Sequence, residues 1–582
     1  MKAKRYAALL LALLMLCFAA PALAASYHTE IRVLLSVGKG SSLDITPVGE
    51  YYLLEDPSLA LGNDKLTVTA VGSQPSITAG GKTVTAPSLT LMSRDYGGTS
   101  AYIRLRNSEH GTCTYLGNMT FTVQGGRIRA VNTLPMEQYL YGVVPNEMSN
   151  SFPVDALKAQ AVCARSYAMA KCSRYATRSY DLGDTSNDQV YHGYASKNLR
   201  AIAAVDATAG QVLTYEGDII EAFYSSSNGG QTERTGNVWS EDHPYYINAD
   251  DPFDLANPSS MEYLAFIPRV FEEATVSAMS REVYAALLRG ACEAAGEEVT
   301  LLTTVAVSPK ESKYEEPSRS FTVADVTLTV EKADGSTGQL TVPLVLGDMF
   351  FGTAANTLGA LGARTYTLRL RGAEPAKASI GGEEYAGWNL TMRRWGHGVG
   401  LSQRGAQQRA REGQPYEEIL GFYYVNTAVC TVGTYASAPE VKSDKYRVKK
   451  WGVSGVEPGT KPADFLKRVE CEAELSVVTS RGELKLESEL TTGNFLRLSY
   501  GESNDARFFD LPIVIYGDLD SEGGLTAADA EALADHLAHK RTFTGPYLEA
   551  ADVNHDGDVN AKDLLLLIRA IRGDETIKQR GE

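Results

Sequence analysis

A chain of 582 residues is longer than one hydrophobic core organises, so several domains are expected. Its formal net charge of -16 argues against a duplex nucleic-acid binder, because phosphate recognition wants clustered Lys and Arg. A hydrophobic fraction of 44% is ordinary for a globular protein, so disorder throughout is excluded as well.

Met1 to Ala24 carries Lys2, Lys4 and Arg5, an apolar run from Ala7 to Ala20, and then Ala22-Leu23-Ala24. That is the pattern of a secretory signal peptide cleaved after Ala24, and it predicts a secreted, extracellular or wall-associated protein. Cys17 follows bulky Leu16, which argues against lipoprotein processing. No later run approaches the roughly twenty apolar residues of a membrane helix, so no transmembrane span is expected after cleavage. The remaining cysteines, Cys113, Cys163, Cys172, Cys292, Cys430 and Cys471, lack CxxC spacing, and neither a disulfide framework nor a zinc knot is supported. Cys163 and Cys172 fall on opposite faces of one expected helix.

Residues 25–126 are rich in β-branched side chains and punctuated by Gly, Pro, Asn and Asp. EIRVLLSV, KLTVTAV, KTVTA and AYIRLR read as short strands of an N-terminal β region. The period then changes. Pro135 can open a helix carrying Tyr139, Leu140 and Val143, with Gly142 and Pro145 ending it just before Glu147. Glu147 thus sits in an apolar, turn-rich knot with Val143, Val144, Pro145 and Met148, where loss of water disfavours a charged carboxyl group. A general acid needs that property; a helix-capping Glu is the plain alternative. Val154, Leu157, Ala161, Ala164 and Ala168 then recur at helical spacing, with Lys158, Gln160, Arg165 and Tyr167 on the more polar side.

NDQVYHGY precedes a helix from Leu199 to Ala207 and the strand-turn-strand QVLTYEGDIIEAFYSSSNGGQTE. Aromatic faces with hydroxyl and amide groups suit a sugar, although a buried strand pair would give much the same pattern. A helical, alanine-rich part and alternating strands fill 261–365. WGHGVGLSQRGAQQRAREG follows, with three glycines around His397 and a helix stopped by Gly413. His397 suits a structural role in a tight turn better than proton transfer. A lysine-rich run, SAPEVKSDKYRVKK, marks a linker before a small β-rich region.

DLDSEGGLTAAD and DVNHDGDVNAKD both place oxygen side chains at loop positions 1, 3, 5, 9 and 12 and Gly at position 6. A twelve-residue loop wraps calcium in that way. The expected ligands are Asp518, Asp520, Glu522, Thr526 and Asp529, then Asp552, Asn554, Asp556, Asn560 and Asp563, with carbonyls from Gly524 and Asp558. Each loop runs into a helix, and no entering helix is evident.

YLYGVVPNEM, DALKAQAVCARSYAMAK and GHGVGLSQRGAQ occur in one order. Together they resemble the stage II sporulation protein D family, whose members are lytic transglycosylases and amidase-enhancer proteins of bacterial walls. The likeness covers about Ile128 to Val429. It implies a cleft in which Glu147 is catalytic and Lys158, Arg165, Tyr167, Gln189, Tyr191, Tyr224, Ser225, Ser226, Thr232, His397, Ser402 and Gln403 contact the glycan. Some relatives hold zinc in the segment aligned with Thr185 to Asp188; this chain has TSND there, so no cofactor is expected in the catalytic domain. The duplicated loop-plus-helix unit resembles a type I dockerin, which implies a cohesin-bearing partner and two calcium ions.

The expected fold class is therefore α+β: a multidomain secreted protein with a mixed catalytic domain, β-rich flanking regions and a small all-α calcium-binding C-terminal module. The expected boundaries are 1–24 leader, 25–126 β region, 127–432 catalytic domain, 433–450 linker, 451–515 β-rich module and 516–575 dockerin-like domain. The expected activity is lytic cleavage of peptidoglycan glycan strands by Glu147 as acid and then base, giving 1,6-anhydro ends, with Asp155 and Asp188 as open candidates for a second acid. Two other readings stay open: a non-catalytic wall-binding or amidase-activating protein, and a dockerin-borne enzyme of plant polysaccharide.

Overall fold

A computed structural model of the chain describes residues 30–59, 61–174, 178–216, 218–345, 369–432, 438–449, 452–479, 482–501, 507–538, 543 and 546–579. The expected leader, Met1 to Ala24, lies outside the described residues. The protein is α+β, and no described helix is long and apolar enough to cross a membrane.

Two compact units emerge. One comprises Met1–Ser151, Ala164–Glu221 and Ala428–Glu582; the other comprises Phe152–Cys163 and Ala222–Thr427. The chain leaves the first unit and later returns to it.

In the first unit, strand Glu30–Leu35 alternates half-buried and buried residues, as a strand with one face on a core must. It pairs antiparallel with Arg127–Pro135 and parallel with Leu182–Gly183, so the N-terminal β region shares a six-stranded sheet with the Glu147 segment. A second six-stranded sheet runs from Lys82–Thr85 to Gly111–Tyr115. The expected separate module at 451–515 is also absorbed. Its strands Arg507–Pro512, Phe495–Tyr500 and Glu474–Thr479 continue a seven-stranded sheet begun by Asp218–Ile219, Gln211–Tyr215 and Ala428–Val432. The expected linker is likewise structured over 438–449: Lys442–Ser443 pairs with Val469–Glu470, Arg447–Lys449 pairs with Gly452–Ser454, and Tyr446 is buried. A lysine-rich composition there reflects strand edges facing water.

Pro145 does not end the helix that precedes Glu147. The helix runs Met136–Glu147 with Pro145 inside it. Proline costs a helix its own N–H bond and crowds the preceding turn, yet this helix still closes beyond it, with the Met148 N–H bonded to the Val144 carbonyl at 2.9 Å. The following helix, Val154–Arg174, buries Ala156, Ala159, Ala161, Ala164 and Ala168 completely, and these small side chains permit close packing.

In the second unit, five strands run in the order Glu262–Pro268, Glu383–Arg393, Arg369–Ile380, Phe321–Lys332 and Val299–Ser312, with Thr337–Val345 also paired to Phe321–Lys332. Helix Arg281–Ala295 is capped by Ser280 and ends at Gly296 in the left-handed conformation. Its Val283, Ala286, Leu287 and Ala291 fill the core over that sheet. Toward the C-terminus, helices Ala527–Leu537 and Ala561–Ile571 follow the acidic loops as expected. A short entering helix, Pro546–Ala551, also precedes the second loop, which the sequence reading missed.

Candidate functional site

Glu147 is the last residue of its helix and is half-buried. Its Oε1 accepts a hydrogen bond from the Val190 backbone N–H at 2.9 Å, which aims the carboxyl group. The loop that supplies this donor lies close to the helix because Gly142 has no side chain. A Cβ at Gly142 would stand 2.5 Å from the Tyr191 ring and 2.6 Å from the Gly193 carbonyl oxygen.

Behind Glu147 the buried Tyr139 phenol donates to Gln189 Oε1 at 3.1 Å, and Gln189 Nε2 donates to the Ala164 carbonyl at 3.2 Å. Burial drives the Tyr139 phenol well above its ordinary pKa, and Tyr191, Tyr167, Asp188 and Glu147 add to the effect. These groups therefore share one electrostatic neighbourhood. Asp188 accepts from the Gly183 N–H at 2.9 Å and from the Tyr167 hydroxyl at 3.3 Å. Tyr191 donates to Asn132 at 2.8 Å from a fully enclosed position.

Arg165 departs from the expected polar helix face. Its side chain is 0% exposed, with Nε and Nη2 bonded to the Glu137 carboxylate at 2.9 and 2.6 Å and Nη1 to the Gln211 carbonyl at 3.0 Å. Spacing along a helix cannot tell a solvated cation from one that meets a carboxylate on the preceding helix.

In the second unit, Lys158 is half-buried and lies over the Tyr416 ring at 5.3 Å. Tyr224 and Ser226 are half-buried, while Ser225, Thr232, Ser402 and Gln403 are buried. Strand Tyr224–Ser225 pairs in parallel with Leu401–Ser402. Ser402 Oγ donates to Asp254 at 2.7 Å, Ser227 Oγ donates to the same carboxylate at 2.9 Å, and so does the Gly229 N–H at 2.9 Å. Burial raises the Asp254 pKa against these bonds. Thr232 Oγ1 donates to the Ile247 carbonyl at 2.6 Å, and Gln403 Nε2 reaches Gln160 at 3.4 Å. His397 Nδ1 accepts from the Val399 N–H at 3.0 Å and the ring also bonds the Tyr224 backbone; burial, then Arg394, pushes its pKa down to about 4. A buried imidazole bonded to the backbone of its own turn suits a structural role. Of the hubs of the two networks, Asp254 went unnoticed and Tyr139 was read only as a helix-face residue, because a buried Asp or Tyr has no sequence mark of its own beyond the glycines and serines that serve it.

At the C-terminus, carboxylate oxygens of Asp518, Asp520 and Asp529 lie within 4.8 Å of one another. Burial lifts the Asp518 pKa to about 7, and the nearby Asp529 and Asp520 charges contribute. Three acids held so close suit a divalent cation with oxygen ligands. Asp529 accepts from the Leu519, Asp520 and Thr526 N–H groups, and Asp563 accepts from Asn554 and Asn560 in the same way. Thr526 and Asn560 cap the helices that follow. Gly523 and Gly557, at position 6 of each loop, take φ of 78° and 90°, and Ser521 and His555 at position 4 take 66° and 61°. The two loops thus share one backbone path. Glu522, Gly524, Asp552, Asp556 and Asp558 lie on that path at their expected positions.

Fold and geometry together define an α+β protein with an oriented, half-buried carboxylate beside a tyrosine network, and a C-terminal pair of acidic loops. Comparison with known proteins is more specific. Residues 124–215 match the family described as Stage II sporulation protein, and residues 516–572 match the Dockerin type I domain. The chain is 31% identical over 302 residues to a Bacillus subtilis (strain 168) protein named "Amidase enhancer", across 50% of this chain and 40% of that one. It is 25% identical over 339 residues to "Stage II sporulation protein D" of the same strain, across 55% of this chain and 80% of that one. The chain spans about two fifths of the length of the amidase enhancer.

Proposed function

We propose that the protein cleaves the glycan strands of bacterial peptidoglycan as a lytic transglycosylase. One observation carries the reading: Glu147 is half-buried and held in one orientation by the Val190 N–H, inside the segment that matches the Stage II sporulation protein family. Glu147 gives its proton to the oxygen linking N-acetylmuramic acid to N-acetylglucosamine, the C1–O bond breaks, and positive charge develops at the muramic carbon. The 6-hydroxyl of the same sugar then attacks C1 and returns its proton to Glu147. No water is consumed, and the acid is regenerated. An internal nucleophile is held close by the ring itself, so one carboxylate suffices where hydrolases use two. Half-buried Lys158, Tyr224 and Ser226 suit direct glycan contact; enclosed Arg165, Tyr191, Gln189 and Ser402 suit support of the groups around them.

The C-terminal loops are proposed to hold calcium through Asp518, Asp520, Glu522, Thr526 and Asp529, and through Asp552, Asn554, Asp556, Asn560 and Asp563, with carbonyls of Gly524 and Asp558. Bound calcium would neutralise the crowded acids and fix the helices for a cohesin-bearing partner.

Mass spectrometry of peptidoglycan digests tests the enzyme. Wild type releases anhydromuramyl ends, and Glu147→Gln releases none. The likeness to a protein named as an amidase enhancer favours a second reading, binding to the wall without cleavage. Absence of anhydro products with wild type, together with an unchanged effect of Glu147→Gln on a partner amidase, establishes that reading instead.

A further inference from the structure

The loop from Arg234 to Asn248 in the second unit is anchored by a buried carboxylate that the proposed chemistry does not use. Glu233 is 2% exposed. Its Oε1 accepts from the Asn237 and Asn248 side-chain amides at 2.6 and 2.7 Å, and its Oε2 from the Ser318 and Ser320 hydroxyls at 2.7 and 3.1 Å. Burial opposes the charge, but these bonds and the Arg234 N–H outweigh it and hold the carboxyl below its usual pKa. Within the loop, Asp242 accepts from the Gly236 N–H at 3.0 Å and pairs with Arg234. Such bonding is what keeps a surface loop in one shape.

That shape displays an indole. Trp239 is 40% exposed, yet its ring is backed by Phe223, stacked at 4.5 Å, and flanked by His397 at 5.0 Å. With one face stacked on Phe223, the partly exposed indole offers a flat apolar surface of the kind on which a sugar ring packs. On the same loop a cavity of about 350 Å³ is lined by Arg234, Asp242, His243, Tyr246, Ile247 and Asn248 among others. Arg234 and Asp242 pair with each other, and with Asn248 they give the lining both donors and acceptors. Tyr246 and Ile247 add apolar surface. A neutral ring with apolar faces and a fringe of hydroxyls finds partners for both there.

We propose that the Arg234–Asn248 loop forms a saccharide subsite in which a pyranose of the glycan strand stacks on Trp239 and the neighbouring cavity takes an adjoining sugar. The ligand class rests on the glycan-cleaving reading above; the place rests on the loop. The subsite grips the strand and takes no part in proton transfer.

Calorimetric titration of the full chain with tetra-N-acetylchitotetraose tests it, supported by tryptophan fluorescence and carried out in the Glu147→Gln background so that nothing is cut. Trp239→Ala removes the platform and Ile247→Trp fills the cavity from an exposed position; each weakens binding about tenfold or more, as loss of an aromatic anchor does. Trp239→Phe keeps most of the affinity. Ile247→Trp also provides the reading if Trp239→Ala fails to fold. Unchanged affinity in both variants, or no binding by the parent protein, overturns the subsite. Anhydro products from a Glu147→Gln digest would instead overturn the catalytic reading, and the binding data would still stand.

Discussion

Gly142 shows how much of the site depends on a single missing methyl group. In an exposed helix, Gly→Ala stabilises by about 1 kcal/mol. Here the added Cβ would meet the Tyr191 ring and the Gly193 carbonyl oxygen at 2.5 and 2.6 Å, and overpacking of that kind costs about 1–3 kcal/mol. The carbonyl cannot swing aside like a side-chain tip, because the Tyr194 N–H of the same peptide is bonded to the Thr114 carbonyl at 2.7 Å. The clash therefore wins. Gly142→Ala is expected to lower the thermal midpoint and to reduce glycan cleavage further, by shifting the Val190 N–H from Glu147. A raised midpoint would show that the loop does not lie on the helix. The sequence pointed to Glu147 through its apolar neighbours, and three separated motifs pointed to the family. It gave Gly142 only a helix-ending role, because the atoms that Gly142 makes room for lie some fifty residues away.

At the scale of elements, helical spacing placed Lys158 and Arg165 on one face, and the structure gives them different fates. Lys158 reaches Asp155 only at 4.0 Å and is 26% exposed, the sort of pair whose net contribution is small. Arg165 is sealed in against Glu137. Removing one partner of a buried pair strands the other charge and costs about 3–5 kcal/mol. Glu137→Ala is thus expected to destabilise the protein in urea unfolding by less than that, because Glu137 is 29% exposed and the Gln211 carbonyl still accepts from Arg165, while Lys158→Ala moves the midpoint little. Equal, small effects would mean that water reaches the Arg165 guanidinium. Strands and helices were legible from periodicity, including Leu199–Ala207 as read. The helix through Pro145 was not, because a proline reads as a stop in sequence whether or not the turn around it closes, as it does here through the Met148 N–H. Pro546–Ala551 was missed because six residues are too few to show a period.

For the whole molecule, composition suggested modules in series, whereas strand pairing joins distant segments. Ala428–Val432 lies between Gln211–Tyr215 and Arg507–Pro512, with Thr431 opposite Arg507 and Val432 opposite Phe508. A second tie runs through Arg497, which bonds Asp510 at 2.8 and 2.9 Å and Asp218 at 3.1 Å. A linker-like composition between 433 and 450 gives no hint of either, since pairing between remote strands leaves no local pattern. The consequence differs for two truncations. A chain ending at 515 keeps the seven-stranded sheet and loses the acidic loops, along with the Thr492 N–H bond to Asp518 at 2.7 Å. A chain ending at 437 leaves Ala428–Val432 as an open edge and Asp218 without its guanidinium. Unpaired edges invite association with other chains. The chain ending at 515 should therefore melt close to the full chain and stay monomeric in light scattering, and the chain ending at 437 should melt lower and aggregate. If the chain ending at 437 behaves like the full protein, the C-terminal strands are a dispensable appendage and the shared sheet contributes nothing to the unit that carries Glu147.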